Sequence, residues 1–223
     1  MLVVVGAIAY FAHTSSSTTP ALLRVSGLPR SVSTEVATLM ELSPLPARPA
    51  PNFTFVDQKG TTISLTSLRG HPVVLNFMDS HCTDICPIVS AELVMADRQL
   101  ARYAKDTVFL AVNVNQYNTN VASVEAFSAN HGLNSIPTWH FLTGPVPALE
   151  ATWRAYGIAV HAPSPTADVV HTSATYFIDP KGNERYIAAP AVNHTKKGKA
   201  YLPPVDISAW ARGIAEVANS LAK

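Results

Sequence analysis

The chain has 223 residues, 14% of them charged, and a formal net charge of +1, which excludes the basic footprint of a nucleic-acid binder and gives no pull towards an acidic partner. A chain of this length has room for one domain with a well-filled core and an appendage. Seventeen prolines against ten glycines, many of the prolines before Pro51, suggest that the appendage is a linker.

Residues 1–12 are apolar throughout, and polar Ser and Thr follow at once. About 20 residues are needed to span a bilayer, so this run is too short alone. It also lacks the basic start of a signal peptide, the first Arg or Lys being Arg24. We read it as the remaining part of an export signal or membrane anchor that starts upstream. The alternative is an apolar strand or helix packed on the domain. Residues 13–50 combine a Ser/Thr run with Pro20, Pro44, Pro46 and Pro49. They read as a spacer that holds the domain away from a membrane, with a weak helical pattern over 32–42.

From Phe53 the texture changes. Residues 53–56 and 62–65 flank Asp57-Gln58-Lys59-Gly60, a turn signal between two short strands, and predict a hairpin. Residues 73–77, Val-Val-Leu-Asn-Phe, read as a buried strand. The chain's only two cysteines, Cys82 and Cys86, follow in a turn, and Pro87 opens a helical pattern that runs to Ala104. A helix N-terminus offers free N–H groups and a positive dipole end that stabilise a thiolate. The pair is therefore read as a reactive or metal-binding site. One structural disulfide, or two buried thiols acting as small hydrophobes, is the competing reading. A bridge closing so short a loop gains little from chain entropy, which favours the functional one.

Residues 108–114 predict the next buried strand, residues 121–129 a helix closed by Gly132, residues 139–142 a strand, and residues 146–156 a helix ended by Gly157. Strands alternating with helices imply right-handed crossovers and a largely parallel central sheet. Residues 161–170 are a polar, Pro-containing loop. Residues 172–178 and 184–189 frame Asp179-Pro180-Lys181-Gly182-Asn183 as a second hairpin, and the apolar stripe from Ile207 to Leu221 marks a closing helix. The predicted architecture is α/β and thioredoxin-like, a central sheet flanked by helices with an extra N-terminal hairpin, over residues 51–223.

From about Pro51 to the C-terminus the sequence resembles the Sco/SenC proteins, which help assemble the copper A centre of cytochrome c oxidase. The resemblance rests on Pro51-Asn52-Phe53 leading to Asp57-Gln58-Lys59-Gly60, on Cys82-Thr83-Asp84-Ile85-Cys86-Pro87 after a strand, and on Val170-His171-Thr172-Ser173-Ala174 opening into Phe177-Ile178-Asp179-Pro180-Lys181-Gly182. It implies copper held by Cys82, Cys86 and His171, the histidine standing where thioredoxins have a cis-proline. Thr83 departs from the family's usual proline. Two thiolates and one imidazole favour Cu(I), whereas Cu(II) would want a further donor such as water or Asp84. A closed zinc site needs a fourth protein ligand, and the sequence offers no clear one.

The implied protein is extracytoplasmic, periplasmic or on the outer face of the plasma membrane, and anchored through its N-terminal segment. Its partner would be the copper-bearing oxidase subunit or another copper protein. A thiol-disulfide oxidoreductase acting on that subunit's cysteines is the competing function, with Cys82 and Cys86 as the redox-active pair. A peroxiredoxin-like peroxidase ranks third: Thr83 stands three residues before Cys86 as in the peroxidatic pattern, but Asp79 occupies the place of that pattern's proline. Among the remaining histidines, His81 is a minor candidate ligand, since neighbours on a turn usually point apart, and His161 could supplement the site. His13, His71, His131, His140 and His194 read as solvent-facing or satisfied core residues. Asp79 and Asp84 flank the cysteines and either orient the ligands or form turns. Lys196, Lys197 and Lys199 read as a solvated loop rather than a docking patch.

Overall fold

The computed structural model of the chain describes residues 25–189 and 192–223. The apolar run over 1–12 and the Ser/Thr run after it lie outside the described residues. The first element is helix α1 (Thr34–Leu39), whose N-cap Ser33 accepts the Val36 N–H. Strand β1 (Ser43–Pro49) follows, then the short hairpin β2 (Thr54–Val56) and β3 (Thr62–Ser64). Its turn is closed by Asp57, whose carboxylate accepts the Lys59 and Thr61 N–H groups.

Strand β4 (Val73–Met78) leads into helix α2 (Ile85–Gln99), strand β5 (Val108–Asn113), helix α3 (Val121–Asn130), strand β6 (Trp139–Leu142) and helix α4 (Val146–Ala155). The two-residue strands β7 (Val160–His161) and β8 (Val170–His171) form a small ladder of their own. Strand β9 (Thr175–Ile178) and strand β10 (Asn183–Ala188) make the second predicted hairpin. Strands β11 (Asn193–His194) and β12 (Ala200–Tyr201) make a third, and helix α5 (Pro204–Leu221) closes the chain.

The main sheet runs β1-β10-β9-β4-β5-β6. The β4–β5 and β5–β6 ladders are parallel, as the alternation of strands and helices predicts. The β4–β9, β9–β10 and β1–β10 ladders are antiparallel, so the sheet is mixed rather than largely parallel. For β9 and β10 the reason is connection length: the tight turn at Asp179 to Asn183 can only return the chain antiparallel.

β4 is buried along its whole length because both faces of the sheet are covered. Val74 and Met78 face a layer with Leu93 of α2 and Trp210 and Ile214 of α5, while Val73, Leu75 and Phe77 face Leu149, Trp153 and Tyr156. That alternation is the period of two of a strand.

The spacer expected over 13–50 does not describe residues 25–50. Leu28, Val32, Val36, Ala37, Met40 and Leu42 are buried in the same layer as α2 and α5. Gly213 of α5 lets α1 approach so closely that a Cβ there would run into Val36 and Met40. β1 is an edge strand, where prolines cost no interior ladder bond, and its register shifts between Pro44 and Arg48. The folded unit therefore begins ahead of Pro51.

Candidate metal centre

β4 ends at the rim of the sheet, and residues 79–84 turn the chain into α2. The helix starts at Ile85, two residues ahead of the predicted Pro87, so Cys86 lies in its first turn. Proline fits there because first-turn N–H groups have no helical acceptor. Asp84 sits at the N-cap position without capping through its side chain. The sulfur of Cys82 caps the helix instead, accepting the Cys86 main-chain N–H at 3.3 Å.

Cys82 and Cys86 are both free thiols. Hydrogen bonding from the Cys86 thiol brings the Cys82 pKa down to about 6. Burial opposes this, and the main-chain N–H groups of Cys86, Asp84 and Ile85 reinforce it. Cys86 is only 3% exposed. Its pKa is pushed well up by its bond to Cys82, by burial and by the negative charges of Cys82 and Asp79. The pair therefore favours the thiolate at Cys82 and the thiol at Cys86.

His171 arrives on β8, 85 residues after Cys86 in sequence. Its Nδ1 lies 3.0 Å from the Thr172 carbonyl oxygen, and that partner requires Nδ1 to carry the proton, leaving the Nε2 lone pair free. Burial lowers its pKa, against the Thr172 carbonyl and Asp79, so the neutral ring is favoured. His171 and Cys82 line one cleft of about 730 Å³ with Asp79, Asp84, Lys197 and Lys199, and Cys86 lies behind Cys82. Among the described residues, no three His, Cys, Asp or Glu side chains are gathered closely enough to hold a metal ion. The donor types, a sulfur and a free imidazole nitrogen on the cleft with a second sulfur behind, are those that suit a soft ion such as Cu(I).

The other candidates separate from this cleft. His81 is exposed and lines a second cavity of about 430 Å³ with Phe127 and His131, on the other side of Cys82. His161 is exposed and pairs with Val170 in the β7–β8 ladder. His140 bonds the buried Asp57 at 2.8 Å and has a structural role. His131 packs against Phe127 with the rings tilted by 45°, His194 is exposed in β11, and the His71 ring is buried at Nδ1. His13 lies outside the described residues.

Asp84 accepts the Ala200 N–H at 2.7 Å, fastening the β11–β12 hairpin beside the cysteine turn. This brings Lys197 and Lys199 to the cleft, where the sequence suggested only a solvated loop. Sequence reasoning missed Asn115. It follows β5, and its Nδ2 donates to Asp79 at 2.8 Å. The available signal was topological: the segment after the neighbouring parallel strand ends at the same rim as the cysteine turn.

The SCO1/SenC family model matches residues 43–197. Over 132 residues the chain is 30% identical to the SCO1 protein homolog of Bacillus subtilis, an alignment covering 58% of this chain and 68% of that relative. The fold is similar to that of a SCO1/SenC family lipoprotein from Bacillus anthracis, with a TM-score of 0.59 and 21% identity over 66% of this chain and 88% of that one. It is also similar to yeast Sco1 with copper bound, with a TM-score of 0.54 and 22% identity over 62% of this chain and 77% of that one. The architecture is thioredoxin-like.

Proposed function

The chain belongs to the SCO1/SenC family, and from that premise we propose that it is a copper chaperone that holds copper through Cys82, Cys86 and His171. Its cargo is delivered to, or matures, the copper A centre of cytochrome c oxidase, the partner being the copper-bearing oxidase subunit or another copper protein. The observation that carries this reading is the cleft itself, which the Cys82 sulfur and an imidazole with a free Nε2 line together, with the Cys86 thiol directly behind Cys82. Cu(I) accepts soft ligands at low coordination number, and such a set meets that need.

The site of action is extracytoplasmic, in keeping with the similarity to a lipoprotein. Anchoring runs through residues 1–12, which lie outside the described residues. Among the described residues no helix is long and apolar enough to cross a membrane.

A second reading has its own support. A Cys82 pKa of about 6 beside a protonated Cys86 is the state from which a thiolate attacks a disulfide, as a thiol-disulfide oxidoreductase working on the oxidase subunit requires. His171→Ala separates the two. As a copper carrier, the variant binds Cu(I) and Cu(II) more weakly in a competition titration, while a thiol count shows Cys82 and Cys86 still forming and breaking their disulfide. Copper binding equal to the parent's refutes the three-ligand site. Loss of disulfide cycling as well makes His171 a base for thiol chemistry and moves the oxidoreductase reading to first place.

A further inference from the structure

Asp79 directly follows β4 and is 5% exposed. One of its oxygens, Oδ1, receives the His81 N–H at 2.8 Å and Asn115 Nδ2 at 2.8 Å. Asn115 is itself fixed: its N–H donates to Asn113 Oδ1, and its Oδ1 accepts the N–H groups of Tyr117 and Asn118. The carboxylate is therefore held in one orientation. Its second oxygen, Oδ2, has no hydrogen bond among the described residues, and Asp79 lines the same cleft as Cys82 and His171.

Asp79 makes no ion pair with any described residue, although Lys197 and Lys199 line the same cleft. It lies close to two of the proposed ligands. Its charge reaches both Cys86 and His171. A buried anion without a countercharge is costly, and here it stands beside a set of donors for a cation.

Resting on the copper-carrier reading above, we propose that Asp79 favours Cu(II) over Cu(I) at this site. Two thiolates already outweigh the single charge of Cu(I). A further fixed negative charge adds to that excess but is offset by the second charge of Cu(II). A carboxylate oxygen also suits the harder ion, which wants more than two sulfurs and a nitrogen. An opposite charge within about 4–6 Å shifts a protonation equilibrium by roughly 10- to 1,000-fold, and the same electrostatics act on the choice between ions differing by one charge.

The test compares Cu(I) and Cu(II) affinities by competition titration in the parent, Asp79→Asn and Asp79→Glu. Asparagine keeps an oxygen for the His81 and Asn115 donors and removes only the charge. The ratio of Cu(II) to Cu(I) affinity is expected to fall by about tenfold or more in Asp79→Asn and to stay with the parent's in Asp79→Glu. A smaller fall in Asp79→Asn overturns the inference while leaving the copper-carrier reading in place. A parent that binds neither ion overturns that reading and the inference with it. Thermal unfolding of the copper-free proteins establishes that the variant is folded. Should Asp79→Asn fail to fold, Asp79→Ser replaces it under the same criterion.

Discussion

Glu92 lies in α2, six residues after Cys86, and is 2% exposed. It makes no ion pair among the described residues, and burial raises its pKa from an ordinary 4.5 to about 8. The folded protein therefore keeps this proton over a pH range in which the unfolded chain has lost it. The sign follows: below about pH 4.5 both states are protonated and there is no penalty, the penalty grows as pH rises, and above about pH 8 it is constant. A shift from 4.5 to about 8 corresponds to about 5 kcal/mol in full, of which roughly 3 kcal/mol develops between pH 5 and pH 8. Glu92→Gln removes the titration and keeps the shape. Urea unfolding of parent and variant at both pH values gives the variant's stability relative to the parent. That difference should rise by roughly 3 kcal/mol from the lower pH to the higher. Other groups, Cys82 among them, titrate in both proteins and cancel. A change below about 1 kcal/mol would refute the premise that burial leaves the carboxylate uncompensated.

Two further outcomes test the packing and the thiol pair. Met40→Ala, at a fully buried position against α5, should cost about 2–5 kcal/mol in denaturant unfolding, and a loss under about 1 kcal/mol would return the segment before Pro51 to the status of a spacer. Cys82 should be alkylated by iodoacetamide well before Cys86 at pH 7, because it is the more exposed sulfur and the thiolate of the pair; mass spectrometry of peptic peptides reads the order, and equal rates would refute the assignment.

What is legible in the sequence is whatever the local pattern carries. The β-branched runs around Val74 and Leu110, the helix at the cysteines and the closing helix each state their own periodicity; the structure places the two strands and the closing helix as read and sets the other helix at Ile85–Gln99 rather than 87–104. The segment before Pro51 reads as a spacer because Val32, Val36 and Met40 are diluted by prolines and serines, and only the gap left by Gly213 on a distant helix gives them a partner. The parallel half of the sheet can be inferred from alternating elements. The docking of β9 against β4 cannot, since a hairpin reads the same whichever strand it joins. At the cleft, residue types give the two sulfurs, and a resemblance gives the histidine. The Asp79–Asn115 bond joins residues 36 apart and has no signal in spacing.

The order around the cleft is uneven, and that bears on what a carrier has to do. Cys82 belongs to the turn after a fully buried strand and Cys86 to the first turn of a helix packed on α5, with Cys82 fixed by the Cys86 N–H and Asp79 fixed by Asn115. His171 belongs to a ladder of two residues per strand, none of them fully buried, which is the kind of element that opens at low free-energy cost. A site with every ligand locked in place holds its ion at the cost of releasing it slowly, because dissociation must break a rigid set at once. On the ligand set proposed above, the imidazole on its two-residue strand would be the ligand most easily withdrawn, and its withdrawal would leave an open position for an incoming donor. On the same proposal the ladder's own stability would contribute to affinity together with the donor atoms, so substitutions in β7 would belong to the same energetic problem as the ligands themselves.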